Sequence, residues 1–483
     1  MSAATLFESH SENMQEIQDR FRYVMVDEYQ DTNSVQYRLL KHLVRDHRNL
    51  CVVGDDDQSI YGWRGAEPGN LFQFEKDFPD VKVVRLEQNY RSTEVILKAA
   101  NALIENNSQR MPKTLWSEKP GGELLGWIEA EDEVLETETV VRRIRLDIMR
   151  NNRKLEEYCI LYRSNFQSRV LEESLREAKL PYRVVGGKSF FERKEIRDAL
   201  AYLKLIQNPN DLVSLQRVIN TPRRGIGKTS LMQLNACVAE TSLPVLKIMS
   251  QARKYSSIPA EAASSMEVFS ALLGDFQGRF EKGNLGEVFR ELLDELGYLR
   301  FLEQQSGDVK SREKRIQVVQ ELLRGAQRYA EDHPENQLGD YLERMMLFSE
   351  NDDQDGSTSQ ALTLMTLHSA KGLEFPYVYM VGMSEGLFPN PRALDDDAEE
   401  EERRLCYVGI TRAQRELVFS MAKTRKRYQE TLLQEPSRFL MELDPKLFST
   451  PVIGEASLEQ KGKMKKRSRS DFFQNLKQFN SQP

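Results

Sequence analysis

The chain has 483 residues, of which 40% are hydrophobic and 30% charged, and its formal net charge is −7. This length predicts two to four domains, and the composition predicts a soluble globular protein. The sequence has no apolar run near the roughly 20 residues of a membrane span, no signal-peptide pattern, and no disulfide or zinc spacing among its four cysteines. We therefore expect a cytoplasmic protein with no membrane association, and any nucleic-acid binding must come from local basic patches.

The first 90 residues predict alternating helices and strands. Helices are expected at 1–20 and 34–44, and short buried strands at 23–26, 50–53 and 81–86. This alternation favours a parallel α/β sheet.

Two carboxylates, Asp27 and Glu28, directly follow the first predicted strand. In open α/β sheets, ligands bind at the carboxyl ends of the strands. One carboxylate there can hold a Mg²⁺ ion on a nucleotide, and a second can orient and deprotonate water. A strand end that merely happens to carry acids is the alternative interpretation.

The second strand leads into an acidic and aromatic loop, residues 54–65. Its three consecutive aspartates suggest a calcium loop, but the EF-hand spacing fails because Pro68 stands where the bidentate glutamate belongs. Tyr61 and Trp63, followed by Arg64, could instead stack on the bases of single-stranded nucleic acid. A core position for Trp63 is the alternative, although its glycine and arginine neighbours favour the surface.

The rest of the chain returns to the α/β pattern on both sides of a long helical region. The expected elements are a helix at 93–105, a loop at 112–122, strands at 158–162 and 182–185, helices throughout 189–349, a polar linker at 350–359, and strands at 362–367 and 377–381. Gly186-Gly187 is a candidate hinge, because glycine rotates at little cost. The order indicates a helical domain inserted into an α/β domain, and the basic residues 461–469 predict a disordered tail.

The segment 225–229, Gly-Ile-Gly-Lys-Thr, is similar to the end of a phosphate-binding P-loop. The full pattern G-x-x-x-x-G-K-[ST] fails because Pro222 occupies the first glycine position, and no buried strand leads into the segment. The turn and its cations, Arg223, Arg224 and Lys228, could contact a DNA backbone instead. A plain helix start competes with that interpretation.

Two later segments carry further polar groups. Residues 366–375 follow a predicted strand and place His368, Lys371 and Glu374 close together in the sequence. Arg412 follows a Gly-Ile-Thr turn and could reach a nucleotide on a neighbouring domain as an arginine finger. An ordinary surface arginine is the alternative.

Together and in this order, these segments resemble the motor motifs of superfamily 1 helicases of the UvrD/PcrA/Rep group. The resemblance runs from about residue 20 to 445, and around 186–191 it is most like Rep. The matching segments are 26–31, 54–66, 86–92, 366–375, 402–413 and 436–440.

The resemblance implies an α/β fold with RecA-like P-loop NTPase motor domains, one partial and one complete, and an inserted all-helical domain. Residues 1–89 would form the C-terminal part of the first motor domain. Residues 90–186 and 356–445 would form the second, with 187–355 as the helical insertion and 446–483 as the basic tail.

The resemblance also assigns a role to each matching residue, with ATP and Mg²⁺ as cofactors and single-stranded DNA and ss/dsDNA junctions as partners. Asp27 would hold Mg²⁺ and Glu28 would activate the attacking water. The other implied roles are γ-phosphate sensing by Gln58, adenine stacking by Tyr90, γ-phosphate contacts by Arg91 and Arg412, a ribose contact by Glu374, DNA contacts by Tyr61, Trp63 and Arg64, and coupling of the two sites by His368 and Lys371. The implied activity is ATP-driven 3′-to-5′ movement on DNA in replication or repair, with proteins of those pathways as possible partners.

The chain departs from this family at its start. Family members carry a P-loop lysine before the Asp27 strand, whereas only about 26 residues precede that strand here. We expect a missing N-terminal motor region, supplied in cis or in trans, and poor ATP binding by this polypeptide alone. A non-catalytic DNA-binding or regulatory module derived from a helicase is the alternative.

Overall fold

A computed structural model describes residues 11–67, 69–186, 189–241, 243–305, 309–335, 337–346, 360–395, 398–427 and 430–449. The chain divides into two compact units. The first contains residues 1–163 and 362–483, and the second contains residues 164–361. The second unit therefore begins before the predicted insertion at 187, and the predicted domain boundaries stay predictions. No helix in the described ranges is long and apolar enough to cross a membrane.

The N-terminal part of the first unit is a small parallel sheet with three helices. Strand β1 (Val24–Val26) pairs with β2 (Leu50–Val52), so that Met25 lies opposite Cys51. The helices are α1 (Ser11–Arg20), α2 (Ser34–Val44) and α3 (Gly69–Asp77). Helix α2 begins after Asn33, whose side chain accepts a hydrogen bond from Gln36 N at 2.9 Å and so satisfies one free amide of the first turn.

One face of this sheet is open, which corrects the expectation of two fully buried strands. Met25 is 79% exposed and Tyr23 80%, and Cys51 is also exposed. The opposite face packs on Tyr29, Tyr37, Leu71 and Phe74. Parallel strands are normally covered on both faces, and within the described residues only one face is.

The strand predicted at 81–86 does not form. Residues 81–87 adopt no regular structure, and Val84 and Leu86 are 65% and 81% exposed. A strand needs a partner for its backbone groups, and the described part of this segment offers only an isolated bridge between Gln88 and Trp116. The apolar run at 81–86 therefore predicted the wrong element.

The larger sheet of the first unit contains five parallel strands in the order β3, β8, β7, β4, β6, with β9 antiparallel to β8. Its strands are β3 (Gly126–Asp132), β4 (Tyr158–Tyr162), β6 (Leu362–Thr366), β7 (Phe375–Met380), β8 (Ala413–Arg427) and β9 (Glu430–Leu433). The same unit contains α4 (Glu94–Ile104), α5 (Glu133–Asn151), α16 (Pro391–Asp395), α17 (Glu399–Ile410) and α18 (Arg438–Met441). All residues of β4 are buried, as its continuous apolar sequence predicted.

The second unit is mainly helical. It contains the short strand β5 (Tyr182–Val185) and the helices α6 (Ser168–Glu177), α7 (Lys194–Gln207), α8 (Leu212–Val218), α9 (Lys228–Thr241), α10 (Val245–Met249), α11 (Ala260–Phe280), α12 (Leu285–Glu295), α13 (Tyr298–Gln305), α14 (Val309–Asp332) and α15 (Leu338–Met346). The apolar face predicted for α12 is buried through Val288, Phe289, Leu292 and Leu293. Gly297 ends that helix with φ of +64°, a conformation that glycine adopts without steric cost.

Three predictions fall wholly or partly outside the described residues. These are Gly187 of the candidate hinge, the linker at 350–359, and residues 450–483 of the tail. The beginning of the predicted tail is packed, which corrects its boundary. Phe448 is 7% exposed and lies against Phe419 with ring centroids 6.0 Å apart.

Candidate functional site

The acidic pair at the end of β1 is held by a strained turn. Glu28 has φ of +50° and precedes a 3₁₀ turn, Tyr29–Asp31. This left-handed conformation is uncommon outside glycine and costs about 1–3 kcal/mol. The Glu28 amide donates to Asp27 Oδ1 at 2.9 Å, and Tyr29 anchors the turn by complete burial. Both carboxylates therefore project from a fixed backbone at the carboxyl end of the strand.

Gln30 joins the ends of the two strands. Its side-chain amide donates to the Glu28 carboxylate, and its Oε1 accepts from Asp55 N at 3.0 Å. A Cβ at Gly54 would come within 2.8 Å of that same Oε1, so this close approach requires glycine. The family motif contained Gln30, but sequence reasoning gave it no role.

Gln58 lies between the first segment of the unit and the last. Its Nε2 donates to Asp55 Oδ2 at 2.7 Å, while its Oε1 accepts from Arg412 Nη2 at 3.3 Å. The Lys371 ammonium donates to the Gln58 backbone carbonyl at 2.9 Å. The structure thus brings together three predicted site residues that are far apart in the sequence.

Lys371 also reaches the acidic turn. Its Nζ lies 2.6 Å from Asp31 Oδ2 and 3.3 Å from Glu28 Oε2. Burial raises the pKa of Asp31, and the adjacent Glu28 adds to that effect, whereas the bond to Lys371 opposes it. Lys371 therefore holds negative charge beside Glu28. Asp31, like Gln30, was part of the motif without an assigned role.

Arg412 is placed by the end of α17. The side chain is 2% exposed, and its Nε and Nη1 donate to the carbonyls of Val408 and Leu373 at 2.9 and 3.1 Å. Burial and the nearby Arg91 lower the pKa of Arg412 to about 10, so the guanidinium remains charged at neutral pH. These contacts correct the alternative of an ordinary surface arginine.

Arg91 and Glu374 form a second pair beside this site. Arg91 Nε is ion-paired with Glu374, and its Nη1 donates to the Thr411 carbonyl at 3.2 Å. Gln414 Nε2 donates to the other Glu374 oxygen at 2.8 Å. The bond to Arg91 lowers the pKa of Glu374. Two guanidinium groups, those of Arg91 and Arg412, therefore lie near one another, an arrangement that suits a polyanion.

Asp27 and Tyr90 lie at the exposed margin of the site. Tyr90 is 74% exposed, with its hydroxyl bonded to Gln88 at 2.8 Å. Its ring is available for stacking on a planar ligand. The Asp27 carboxylate is exposed and has a second oxygen besides the one that accepts from Glu28, so it could serve as a metal ligand.

The predicted DNA-contacting residues form one aromatic cluster. Trp63 is 64% exposed and meets His368 edge to face at 6.4 Å. Arg64 lies over the Trp63 ring at 4.5 Å and Lys371 over the Tyr61 ring at 5.3 Å. The Tyr61 hydroxyl donates to the His368 carbonyl at 3.4 Å. Lys371 thus contacts both this cluster and the acidic turn.

His368 is neutral in the folded protein near neutral pH. Burial, together with the positive charges of Arg163 and Arg64, lowers its pKa to about 4.

The three aspartates after β2 are close enough to share a cation, but a lysine occupies that role. Lys113 Nζ lies 3.0 Å from Asp55 and 2.8 Å from Asp57, and it is also paired with Asp56. Arg110 pairs with Asp57 at 2.9 Å. Burial works against the charged lysine, yet the three carboxylates outweigh it and raise the pKa of Lys113. Sequence reasoning missed Lys113, because no local pattern signals a partner from a distant loop.

The segment at 225–229 does not form a phosphate site. Helix α9 begins at Lys228, as a plain helix start predicts. Arg224 donates to the carbonyls of Val218 and Ile219 at 2.8 and 3.0 Å. This guanidinium is therefore committed to the second unit's own backbone.

Comparison with protein families places both parts of the first unit among helicases. Residues 84–424 match the UvrD-like helicase C-terminal domain, and residues 1–79 match the UvrD/REP helicase N-terminal domain. The chain therefore contains sequence from both helicase domains, and these matches do not support the expectation that the N-terminal P-loop region is absent.

Individual relatives point to the same group. The chain is 42% identical over 460 residues to the ATP-dependent DNA helicase PcrA of Staphylococcus aureus (strain Mu50 / ATCC 700699), covering 94% of this chain and 62% of that protein. It is 42% identical over 455 residues to PcrA of Staphylococcus epidermidis (strain ATCC 12228 / FDA PCI 1200), covering 93% and 62%. The chain thus spans less than two thirds of these relatives. They do not support the expectation of a particular likeness to Rep.

Proposed function

The chain belongs to the UvrD-like helicase family, and from this premise we propose that it forms most of the motor of an ATP-dependent DNA helicase. In this proposal, ATP hydrolysis between two RecA-like domains drives 3′-to-5′ movement on single-stranded DNA in replication or repair. One observation carries the proposal. Gln58 and Glu28 from the first segment meet Arg412 and Lys371 from the last at a single site.

The residues at this site fit a magnesium nucleotide. Bound Mg²⁺ would neutralise charge on the phosphates and orient them for displacement. Asp27, at the exposed strand end, would be its protein ligand. Arg91 and Arg412 would stabilise negative charge that develops on the γ-phosphate. The exposed ring of Tyr90 would stack on the adenine, and Glu374 would meet the ribose.

Glu28 would act as the base that takes a proton from the attacking water. Its strained backbone aims the carboxylate, while Gln30 and Lys371 fix its position from two sides. Gln58 is bonded to Arg412 and would sense the γ-phosphate through that contact. Chain closure between the two segments therefore completes the catalytic group, because neither segment contains both Glu28 and Arg412.

The aromatic cluster would bind single-stranded DNA near an ss/dsDNA junction. Tyr61 and Trp63 offer ring faces, Arg64 adds positive charge, and each stacked base contributes about 1–3 kcal/mol. His368 and Lys371 connect this cluster to the acidic turn at Glu28. This connection supports coupling between DNA contact and hydrolysis.

We also propose that additional polypeptide, in cis or in trans, completes the first motor domain. The open face at Tyr23, Met25 and Cys51 supports this, since strands of a parallel sheet are normally covered on both sides. The residues 1–483 contain no G-x-x-x-x-G-K-[ST] segment. The added polypeptide would then supply the amides and lysine that cradle the nucleotide phosphates.

The test is ATP hydrolysis with and without single-stranded DNA, measured on residues 1–483 and on any longer product of the same gene. We expect strong stimulation by DNA in the longer protein and little hydrolysis by residues 1–483. Stimulated hydrolysis by residues 1–483 would contradict the need for further polypeptide. DNA binding without any hydrolysis by the longer protein would favour a non-catalytic module.

A further inference from the structure

The first turn of α17 contains four consecutive glutamates, and one of them behaves differently from the other three. Glu399, Glu400 and Glu402 bond to groups of the C-terminal helicase domain, namely Arg403 and Arg438, Ser108, and Arg163 and Asn390. Glu401 instead accepts a hydrogen bond from the backbone N–H of Gly62. It therefore crosses from α17 to the aromatic loop of the N-terminal segment.

Gly62 is the residue that this contact requires. A Cβ at this position would collide with Oε2 of Glu401 and lie 3.2 Å from its Cδ. Burial raises the pKa of Glu401, while the Gly62 amide and the nearby Arg404 oppose that rise. Glu401 is partly buried, so the contact is shielded from competing water, which strengthens a hydrogen bond to a carboxylate.

The other end of α17 contacts the same loop. Arg412 follows the last turn and donates to Gln58 at 3.3 Å. Glu401 and Arg412 are separated by about three turns of helix, or roughly 16 Å. Helix α17 therefore contacts the loop at 54–65 at two points. Tyr61 and Trp63 lie on that loop, so the two contacts fix their position relative to Arg412.

We propose that Glu401 is a positioning residue that couples DNA binding to the nucleotide site through α17. The contact with Gly62 ties the stacking residues to the rigid helix that ends at Arg412. A displacement of the loop by bound DNA is then transmitted to Arg412, and a displacement of Arg412 by nucleotide is transmitted to the loop. This inference rests on the proposed helicase function, because it assigns DNA and nucleotide to these two sites.

The contact itself is tested by amide hydrogen exchange at Gly62 in the intact protein. In Glu401→Ala the Gly62 amide loses its acceptor, and we expect its exchange to accelerate at least about tenfold. Glu401→Gln retains an acceptor oxygen and should restore most of the protection. Glu138→Ala, an exposed change on α5, is the matched control and should leave the rate unchanged. Equal exchange in Glu401→Ala and the parent protein would overturn the inference.

The coupling is tested by the affinity for single-stranded DNA with and without a nonhydrolysable ATP analogue. In the parent protein the two dissociation constants should differ, and in Glu401→Ala and Gly62→Ala their ratio should move toward one. Gly69→Ala is the control for the glycine change, because a Cβ there meets nothing within 4 Å. A merely structural role would weaken both affinities and keep the ratio, which would overturn the inference.

The two tests separate this inference from the proposed function. If the parent protein shows no nucleotide dependence of DNA binding, the helicase proposal fails and the coupling role fails with it. If the parent shows that dependence and Glu401→Ala retains it fully, only the role of Glu401 is wrong.

Discussion

Arg412 Nη2 lies 3.3 Å from Gln58 Oε1, although the two residues are 354 positions apart in the sequence. Gln58 is held from its own side by Asp55, and Arg412 by two carbonyls of its own domain. The pair therefore joins two independently supported groups. A nucleotide placed between them would be in reach of both, which makes this contact the centre of the proposed motor.

Glu28→Gln should abolish turnover and leave nucleotide binding largely intact. The amide keeps the size of the side chain but cannot take a proton from water, and loss of a general base costs about 10²–10⁴-fold in rate. Steady-state hydrolysis and equilibrium binding of an ATP analogue measure the two effects. Glu75→Gln, at an exposed position of α3, is the control. Normal hydrolysis by Glu28→Gln would remove Glu28 as the base.

Trp63→Ala should weaken binding to single-stranded DNA by about 1–3 kcal/mol. The ring is 64% exposed, so its removal should leave thermal stability nearly unchanged. Fluorescence anisotropy with a labelled oligonucleotide measures the affinity at several salt concentrations, and the salt dependence should stay the same because no phosphate contact is lost. Trp116→Ala, another exposed tryptophan, is the comparison. An unchanged affinity would assign Trp63 a role other than stacking.

The pKa of His368 predicts a pH dependence of folding stability. The folded-state pKa of about 4 lies below the ordinary value of 6.5, so between these values the unfolded chain binds a proton that the folded protein does not. Stability should therefore fall as the pH drops from 6.5 toward 4, by on the order of 2 kcal/mol from this residue. Urea unfolding at several pH values measures it. His368→Asn should flatten the dependence, and an equally steep curve in that variant would contradict the assignment.

Lys113→Met should destabilise the protein strongly. The change leaves Asp55, Asp56 and Asp57 without their shared cation, and removing one partner of a buried ion pair costs about 3–5 kcal/mol. Denaturant unfolding measures the loss. Lys98→Met removes an exposed lysine that pairs with Glu94 and should change stability by less than about 1 kcal/mol. Similar stabilities for the two variants would show that the aspartates do not depend on Lys113.

The sequence predicted the larger sheet well and the smaller one poorly. The strands β4 and β6 follow from continuous apolar runs, which indicate burial on both faces. The run at 81–86 has a similar composition, yet it forms no strand because a strand depends on partners that composition does not reveal. Exposure of Met25 on β1 has the same origin.

The candidate site was predictable where a family motif named the residue. Glu28, Gln58 and Arg412 could be selected from the sequence, and the structure brings them together. The supporting contacts could not be selected. Lys113 and Glu401 act on loops distant from them in the sequence, and neither belongs to a local pattern that signals such a partner.

A double-mutant cycle on Gln58 and Arg412 tests the central claim most directly. The measurement is single-turnover ATP hydrolysis with saturating single-stranded DNA for the parent protein, Gln58→Ala, Arg412→Lys and the double variant, with Arg415→Lys as the exposed control. If the two side chains act together on one nucleotide, the double variant loses little more than the worse single variant. If the losses in rate multiply, the two residues act independently, and the account of a shared nucleotide site is wrong.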